Sequence, residues 1–587
     1  MTDIPDVPAP GGAGPNPVAD ELIERHRATL DKAVAAAHDR TYFSAYPESP
    51  SPRVYGETAA AVGEQAYTAH LGKPFPGLDM PGTDGDAGAE RSPFGNAGGP
   101  SGDAQLGVTY PHAGDVEKLF AAMRAAVPAW RDAGPLARAA VCIEIVDRIN
   151  KRSFELANAV MHTTGQPFVM AFQAAGPHAQ DRALEAIAYA YAEMTRHAPT
   201  AYWEKPQGKR EPLQMTKTFH VVPRGIALVV GCNTFPTWNS YPGLFASLVT
   251  GNAVVVKPHS RAVLPLAITV AAAREVLAEA GFDPNLVCLA AERDGEGLAS
   301  VLATHHDVKI VDFTGSTQYG TWLEQHARQA QVYTEKAGVN TVVVDSTDDL
   351  RGMTANVAFS LSLYSGQMCT TPQNILVPRD GIETDQGHKG FDEVAAGIRA
   401  AVDALLADPA RAVELTGAIV NDGVMERLEH AAGLGTVIRP AEDLTHPAFP
   451  QARVRTPLIV QLDAADEDVY GGEHFGPISF IIGTDSTQQS LDIFRRTVTE
   501  DGALTAAVYS TSDAVLESAE HVAMDAGVAL SCNLTGGVYV NQSAAFSDFH
   551  GTGANPACNA ALTDGAFVAG RFRIVQSRRH TKQPRPA

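Results

Sequence analysis

Residues 220–232, HVVPRGIALVVGC, carry an apolar, β-branched run that stops at Gly231. Three runs of the same kind follow: AVVVKPH (253–259), KIVDFTGS (309–316) and NTVVVD (340–345). Helical patterns lie between them, over 241–249, 264–280 and 317–331. Strands that alternate with helices indicate a parallel sheet. Unbroken Val/Ile runs, rather than alternating ones, suit strands covered on both faces. The fold class is therefore α/β.

Upstream of these runs the chain reads differently. Residues 1–18 are rich in Pro, Gly and Ala and are expected to be disordered. A helix is expected over 19–38. The stretch 42–107 is read as irregular, a length that implies a functional loop or a linker. Helical patterns then cover 115–130, with Asp115 as N-cap, and 135–151, 153–163 and 176–197. A second α/β stretch runs from about 353 to 509. The segment EKPQGKREPLQMTKTFHVV (204–222) fits a strand pair turning near Gln207-Gly208.

Lys and Arg number 45 against 67 Asp and Glu, a formal net charge of −22 over 587 residues. A chain so acidic is repelled by phosphate backbones and anionic lipid, which disfavours nucleic-acid and membrane-surface roles. There is no apolar run of transmembrane length and no secretory signal pattern, so a cytoplasmic protein is expected. The six cysteines form no CxxC pair and no metal-type Cys/His spacing. The adjacent His305 and His306 are expected to point in different directions, so no metal site is assigned.

Several positions carry chemistry. Cys369 stands in SGQMCTTPQN, where small residues let backbone approach a ligand. Glu335 lies 34 residues upstream, before the NTVVVD run. In VDFTGSTQYG a strand is followed by a Gly315-Ser316 turn and a helix start, whose free N–H groups suit a phosphate. Lys257 closes a strand, where it can donate to ribose hydroxyls or phosphate. Glu473 and Phe475 fall in a turn in YGGEHFGPISFII (470–482).

In this order and spacing, residues 115–545 resemble the aldehyde dehydrogenase superfamily. The resemblance implies that Cys369 is the nucleophile and Glu335 the general base. It makes Asn233, in GCNTFP, the oxyanion-hole asparagine; the segment from there to Lys257 is one residue longer than usual, so its neighbours share that expectation. Lys257 would hold the adenosine ribose, Gly315 and Ser316 the pyrophosphate, and Glu473 and Phe475 the nicotinamide side. The family's Glu-Leu-Gly-Gly is Glu335-Lys336-Ala337-Gly338 here. Ser260 stands where members using NAD often carry Glu, so NADP is the preferred expectation and NAD the other.

The N-terminal segment TYFSAYPESPSPRVYGE (41–57) resembles the PaaN-type aldehyde dehydrogenases of phenylacetate degradation. That subgroup implies oxidation of a ring-opened, CoA-bound semialdehyde, with a separate protein to open the ring. The six Lys and Arg from Arg571 to Arg585 offer a place for CoA phosphates, or form a solvated tail. A general aldehyde or semialdehyde dehydrogenase is the alternative, and a non-catalytic scaffold a third reading. The resemblance implies an N-terminal extension (1–111), a Rossmann-like cofactor domain (112–340) with an oligomerisation hairpin (202–222), a catalytic domain (341–545), and a substrate loop and tail (546–587). It also implies a homodimer or homotetramer.

Overall fold

A computed structural model describes residues 16–99, 102–293, 295–336 and 338–580. The disorder expected at 1–18 therefore falls mostly outside the described residues. Its last positions instead open a helix, Pro17–Asp39, whose N-cap Asn16 accepts from the Ala19 N–H.

Two parallel sheets organise the chain. The first has five strands in the order Val287–Leu289, Ala253–Lys257, Ile226–Val230, Val308–Gly315, Gln331–Lys336, all parallel. Every residue of Ile226–Val230 and Ala253–Lys257 is buried, as helices on both faces require. The second has seven strands: Thr436–Arg439, Leu458–Asp463, Ile478–Thr484, Asn374–Pro378, Thr341–Val344, Thr505–Tyr509 and Ala529–Cys532. Only the edge strand Thr436–Arg439 runs antiparallel to its neighbour. A third, three-stranded antiparallel sheet is built from Thr200–Gln207, Arg210–Pro223 and Phe572–His580. Its turn uses Gly208 at φ +64°.

Two expectations are corrected. The helix read over 317–331 stops at His326, and Gln331–Lys336 is a strand. It pairs in parallel with Val308–Gly315, and its other edge is met by a distant segment. The Asn559 side chain accepts from the Thr334 N–H (2.8 Å) and donates to the Val332 carbonyl (2.9 Å), satisfying the outer edge of that strand. Glu335 thus sits on a strand, not after a helix.

The stretch 42–107 is not structureless. It holds the helices Pro52–Tyr55 and Ala59–His70 and the strand Asp84–Ala87, which pairs with Tyr110–His112. Gly63 lets the second of these helices press on Phe154, where a Cβ would come within 2.3 Å. Tyr67, Phe75, Leu78 and Leu106 join the main core. The segment is read by its packing, which local composition does not reveal.

Candidate functional site

Cys369 follows an unusual backbone. Tyr364, Ser365 and Gly366 all adopt left-handed φ values (54°, 48°, 64°). Two of the three carry a Cβ, so the surrounding structure must hold the turn. Tyr364 donates its hydroxyl to the Thr164 carbonyl (2.5 Å), and the Ser365 hydroxyl lies 2.8 Å from the Arg455 carbonyl. Asn340 fixes the other side. Its amide donates to the carbonyls of Cys369 (2.9 Å) and Thr371 (3.0 Å), while its oxygen accepts from the Leu504 N–H (3.0 Å).

Glu335, at the end of its strand, faces this cysteine. His550, from the loop after the second sheet, lies beside both. Its Nε2 is 3.0 Å from a Glu335 oxygen and 3.9 Å from the Cys369 sulfur. The Trp238 ring meets the imidazole edge-on, with centroids 4.7 Å apart. Asn239 donates to both Glu335 oxygens at 3.2–3.3 Å. Burial alone would raise the Glu335 carboxyl. The His550 imidazole and the bonds from His550, Cys369 and Asn239 outweigh it and hold the group below the usual range. Burial, reinforced by the Glu335 charge, pushes the Cys369 thiol well up. The pair therefore rests as carboxylate and thiol.

The residues expected on the cofactor side lie in two groups. Ser316 caps the helix Thr317–His326 with its hydroxyl, leaving N–H groups of the first turn pointing outward. A Cβ on Gly315 would lie 2.6 Å from the Phe313 ring, so a larger residue here would have to displace that ring. Lys257 is buried and paired with Glu292, which also accepts from the Leu298 N–H (3.0 Å). A buried cation, a carboxylate and an open helix start form a donor and acceptor set that fits a dinucleotide. Glu473, Phe475 and Cys369 share a small cavity of about 20 Å³. Glu473 is open to solvent on one side, and partial dehydration by its neighbours pushes its carboxyl up to about 7, with Arg427 opposing. Lys336, the departure from the family pattern, pairs with Glu324 at 3.1 Å. Asn233 gives its amide to the Thr163 carbonyl at 3.3 Å, whereas Asn239 is the amide that contacts Glu335.

On the other side of Cys369 opens a cavity of about 600 Å³. Tyr42, Phe43, Ser44 and Glu48 of the N-terminal segment form part of its wall. Asp181 fastens that segment, accepting from the Ser44 hydroxyl (2.6 Å) and the Ala45 N–H (3.0 Å). Phe43 packs edge-on against Phe546. A third space of about 20 Å³, enough for about one water, lies behind Glu335 and His550.

The sequence reading missed His550, Asn239 and the wall at 42–48. His550 offered one signal, an imidazole beside glycines in a loop that departs from the family pattern. The divergence expected of His305 and His306 is corrected: their rings stack at 4.5 Å and cluster with Glu117 at the surface, because neither lies on a helix or strand whose geometry would separate them.

The aldehyde dehydrogenase family model matches residues 100–553. The chain is 60% identical to a solved NAD-dependent aldehyde dehydrogenase from Burkholderia multivorans, with a TM-score of 0.93 over 96% of this chain and 99% of that one. It is 28% identical to an N-succinylglutamate 5-semialdehyde dehydrogenase of Burkholderia mallei, over 63% of this chain and 72% of the relative. A Thermus 1-pyrroline-5-carboxylate dehydrogenase structure with bound NAD shares the fold at 18% identity and a TM-score of 0.69, covering 92% of this chain and 99% of that one.

Proposed function

The chain belongs to the aldehyde dehydrogenase family and is an NAD(P)-dependent oxidoreductase; from that premise we propose that it converts an aldehyde to a carboxylic acid through a thiohemiacetal and a thioester on Cys369. The observation that carries this reading is the Cys369–His550–Glu335 cluster between two cavities.

The thiol rests protonated, so its proton must leave as the sulfur attacks the carbonyl carbon. Glu335, ionised and in contact with the thiol, takes it. The resulting alkoxide needs donors. We assign the Cys369 backbone N–H and the Asn233 amide, whose present bond at 3.3 Å is long enough to exchange. One such donor contributes on the order of 3 kcal/mol. When bound, the nicotinamide accepts the hydride that leaves the former aldehyde carbon. Glu335 passes the thiol proton to solvent and, as a carboxylate again, takes a proton from the water that attacks the thioester; Cys369 leaves as thiolate and recovers that proton from Glu335. Lys257, Gly315 and Ser316 would hold the adenosine and pyrophosphate end of the cofactor, and Glu473 with Phe475 the nicotinamide end.

The wider substrate reading is favoured over a CoA-bound semialdehyde of phenylacetate degradation. Support for the latter is the 41–57 segment alone; the described basic residues of the tail, Arg571, Arg573, Arg578 and Arg579, lie elsewhere, and Lys582 and Arg585 fall outside the described residues. Arg571 is buried on Asp312, and 572–580 pair with Arg210–Pro223. None of them lines the large cavity. The same antiparallel sheet exposes Tyr202, Leu213, Ile574 and Val575, which supports a homodimer or homotetramer formed through it.

Rapid-mixing kinetics test the mechanism. Glu335→Gln should slow both the first appearance of reduced cofactor and the steady state, by roughly 100-fold or more. Cys369→Ala should bind cofactor but oxidise nothing. An unchanged steady state in the first, or activity in the second, would overturn the assignment.

A further inference from the structure

The large cavity also bears on which aldehydes can reach Cys369. Its wall is aromatic: Tyr42, Phe43, Phe235, Trp238, Phe359 and Tyr539. Phe359 and Tyr539 stack with centroids 3.8 Å apart, which makes a firm flat face. It carries four acidic residues, Glu48, Asp181, Glu414 and Asp548, beside two histidines, His178 and His550. Among the described residues no Lys or Arg lines it. Arg40 and Arg182, on the same helical wall, both bond Glu185.

Most of these carboxylates are already engaged. Asp181 holds the Ser44 hydroxyl and the Ala45 N–H. Glu48 faces the His178 ring at 2.9 Å, and Asp548 accepts from the Ala544 N–H at 2.7 Å. They are therefore poorly placed to bind a cation, yet Glu48, Glu414 and Asp548 repel an anion, and Asp181 does so in part because burial pushes its carboxyl up to about 7. A carboxylate or phosphate on the substrate would lose its water and gain no partner.

We propose that the substrate is an uncharged aldehyde with an aromatic or extended apolar body, selected by a chamber that residues 42–48 complete. This rests on the reading of Cys369 as nucleophile. The residues that select are the aromatic set and the acidic set together. The 600 Å³ space falls in the range of small-molecule pockets and suits a ring with a short side chain.

The test is a steady-state panel on the full chain with phenylacetaldehyde and hexanal (uncharged), succinic semialdehyde (anionic) and 4-aminobutanal (cationic). The uncharged pair should exceed both charged aldehydes in kcat/KM by at least about tenfold. Glu414→Lys, an exposed change, should move the ratio toward succinic semialdehyde by several-fold. Tyr42→Ala should raise the KM for phenylacetaldehyde while leaving that for the cofactor alone. Preference for either charged aldehyde would overturn the inference and leave the dehydrogenase reading standing. Oxidation of none of the four would overturn both.

Discussion

Nε2 of His550 lies 3.0 Å from a Glu335 oxygen, and each side chain is only 5% exposed. The imidazole is the largest influence opposing the burial of that carboxylate. Its role is one of positioning, since it acts through Glu335. His550→Ala should leave burial dominant, so the Glu335 carboxyl titrates higher. Turnover at neutral pH should then fall by roughly 10- to 100-fold. The acid limb of the kcat profile should move to higher pH, and His550→Gln, which keeps a donor, should recover part of the loss. A profile unchanged in the alanine variant would remove His550 from the mechanism.

Glu473 gives a pH dependence of opposite origin. The surrounding protein partly dehydrates a side chain that solvent still reaches and pushes it up to about 7, so the carboxyl is mostly protonated below neutrality. A carboxylate accepts a ribose hydroxyl better than a carboxylic acid does. Cofactor affinity should therefore tighten as pH rises through about 7, measured by calorimetric titration at pH 6 and 8. Glu473→Gln should flatten that response. The linkage has a defined sign. The folded protein binds this proton more tightly than the unfolded chain, so the group costs stability as pH climbs from about 4.5 through 7. The glutamine variant should melt higher than the parent at pH 8.

Much of the fold was legible because its signals are local. The Val/Ile runs at 226–230 and 253–257 read as buried strands from composition alone, and they are buried throughout. The spacing of Glu335 and Cys369 likewise needed no structure. His550 could not be read in this way, because it reaches Glu335 across 215 residues of chain. The strand Gln331–Lys336 was missed because the Asn559 side chain, more than two hundred residues on, satisfies its edge. The helix Ala59–His70 sits in a Pro- and Gly-rich stretch and is stabilised by packing on Phe154, through Gly63, rather than by a strong periodic pattern.

Arg571 opens the basic tail, but its setting is structural. Its guanidinium makes two bonds to Asp312 (2.5 and 2.7 Å), one to the Ser247 hydroxyl (2.7 Å), and lies over the Phe567 and Tyr333 rings. Arg571→Ala would strand the Asp312 carboxylate in the interior, at a cost of about 3–5 kcal/mol. Thermal unfolding should shift down accordingly. Pairing it with Asp312→Asn should restore part of the loss, because the stranded charge is then gone. Equal destabilisation in both variants would mean that ring packing, not the ion pair, holds the tail.

Glu292 bears on the choice between NAD and NADP. Ser260 removes the carboxylate that often accompanies the ribose lysine, which by itself opens the site to a 2′-phosphate. In the fold, however, Glu292 arrives from a different strand end and pairs with Lys257. Its carboxylate would accept the 2′- and 3′-hydroxyls of the adenosine ribose and would repel a phosphate there. Glu292→Gln keeps the size and removes the charge. The NADP-to-NAD ratio of kcat/KM should rise by roughly tenfold, carried mainly by the KM for NADP. Thermal stabilisation by each dinucleotide, measured without aldehyde, gives an independent reading of the same ratio. If neither measurement moves, the lysine and its carboxylate do not face the ribose, and the preference must be set by His259 and Ser260.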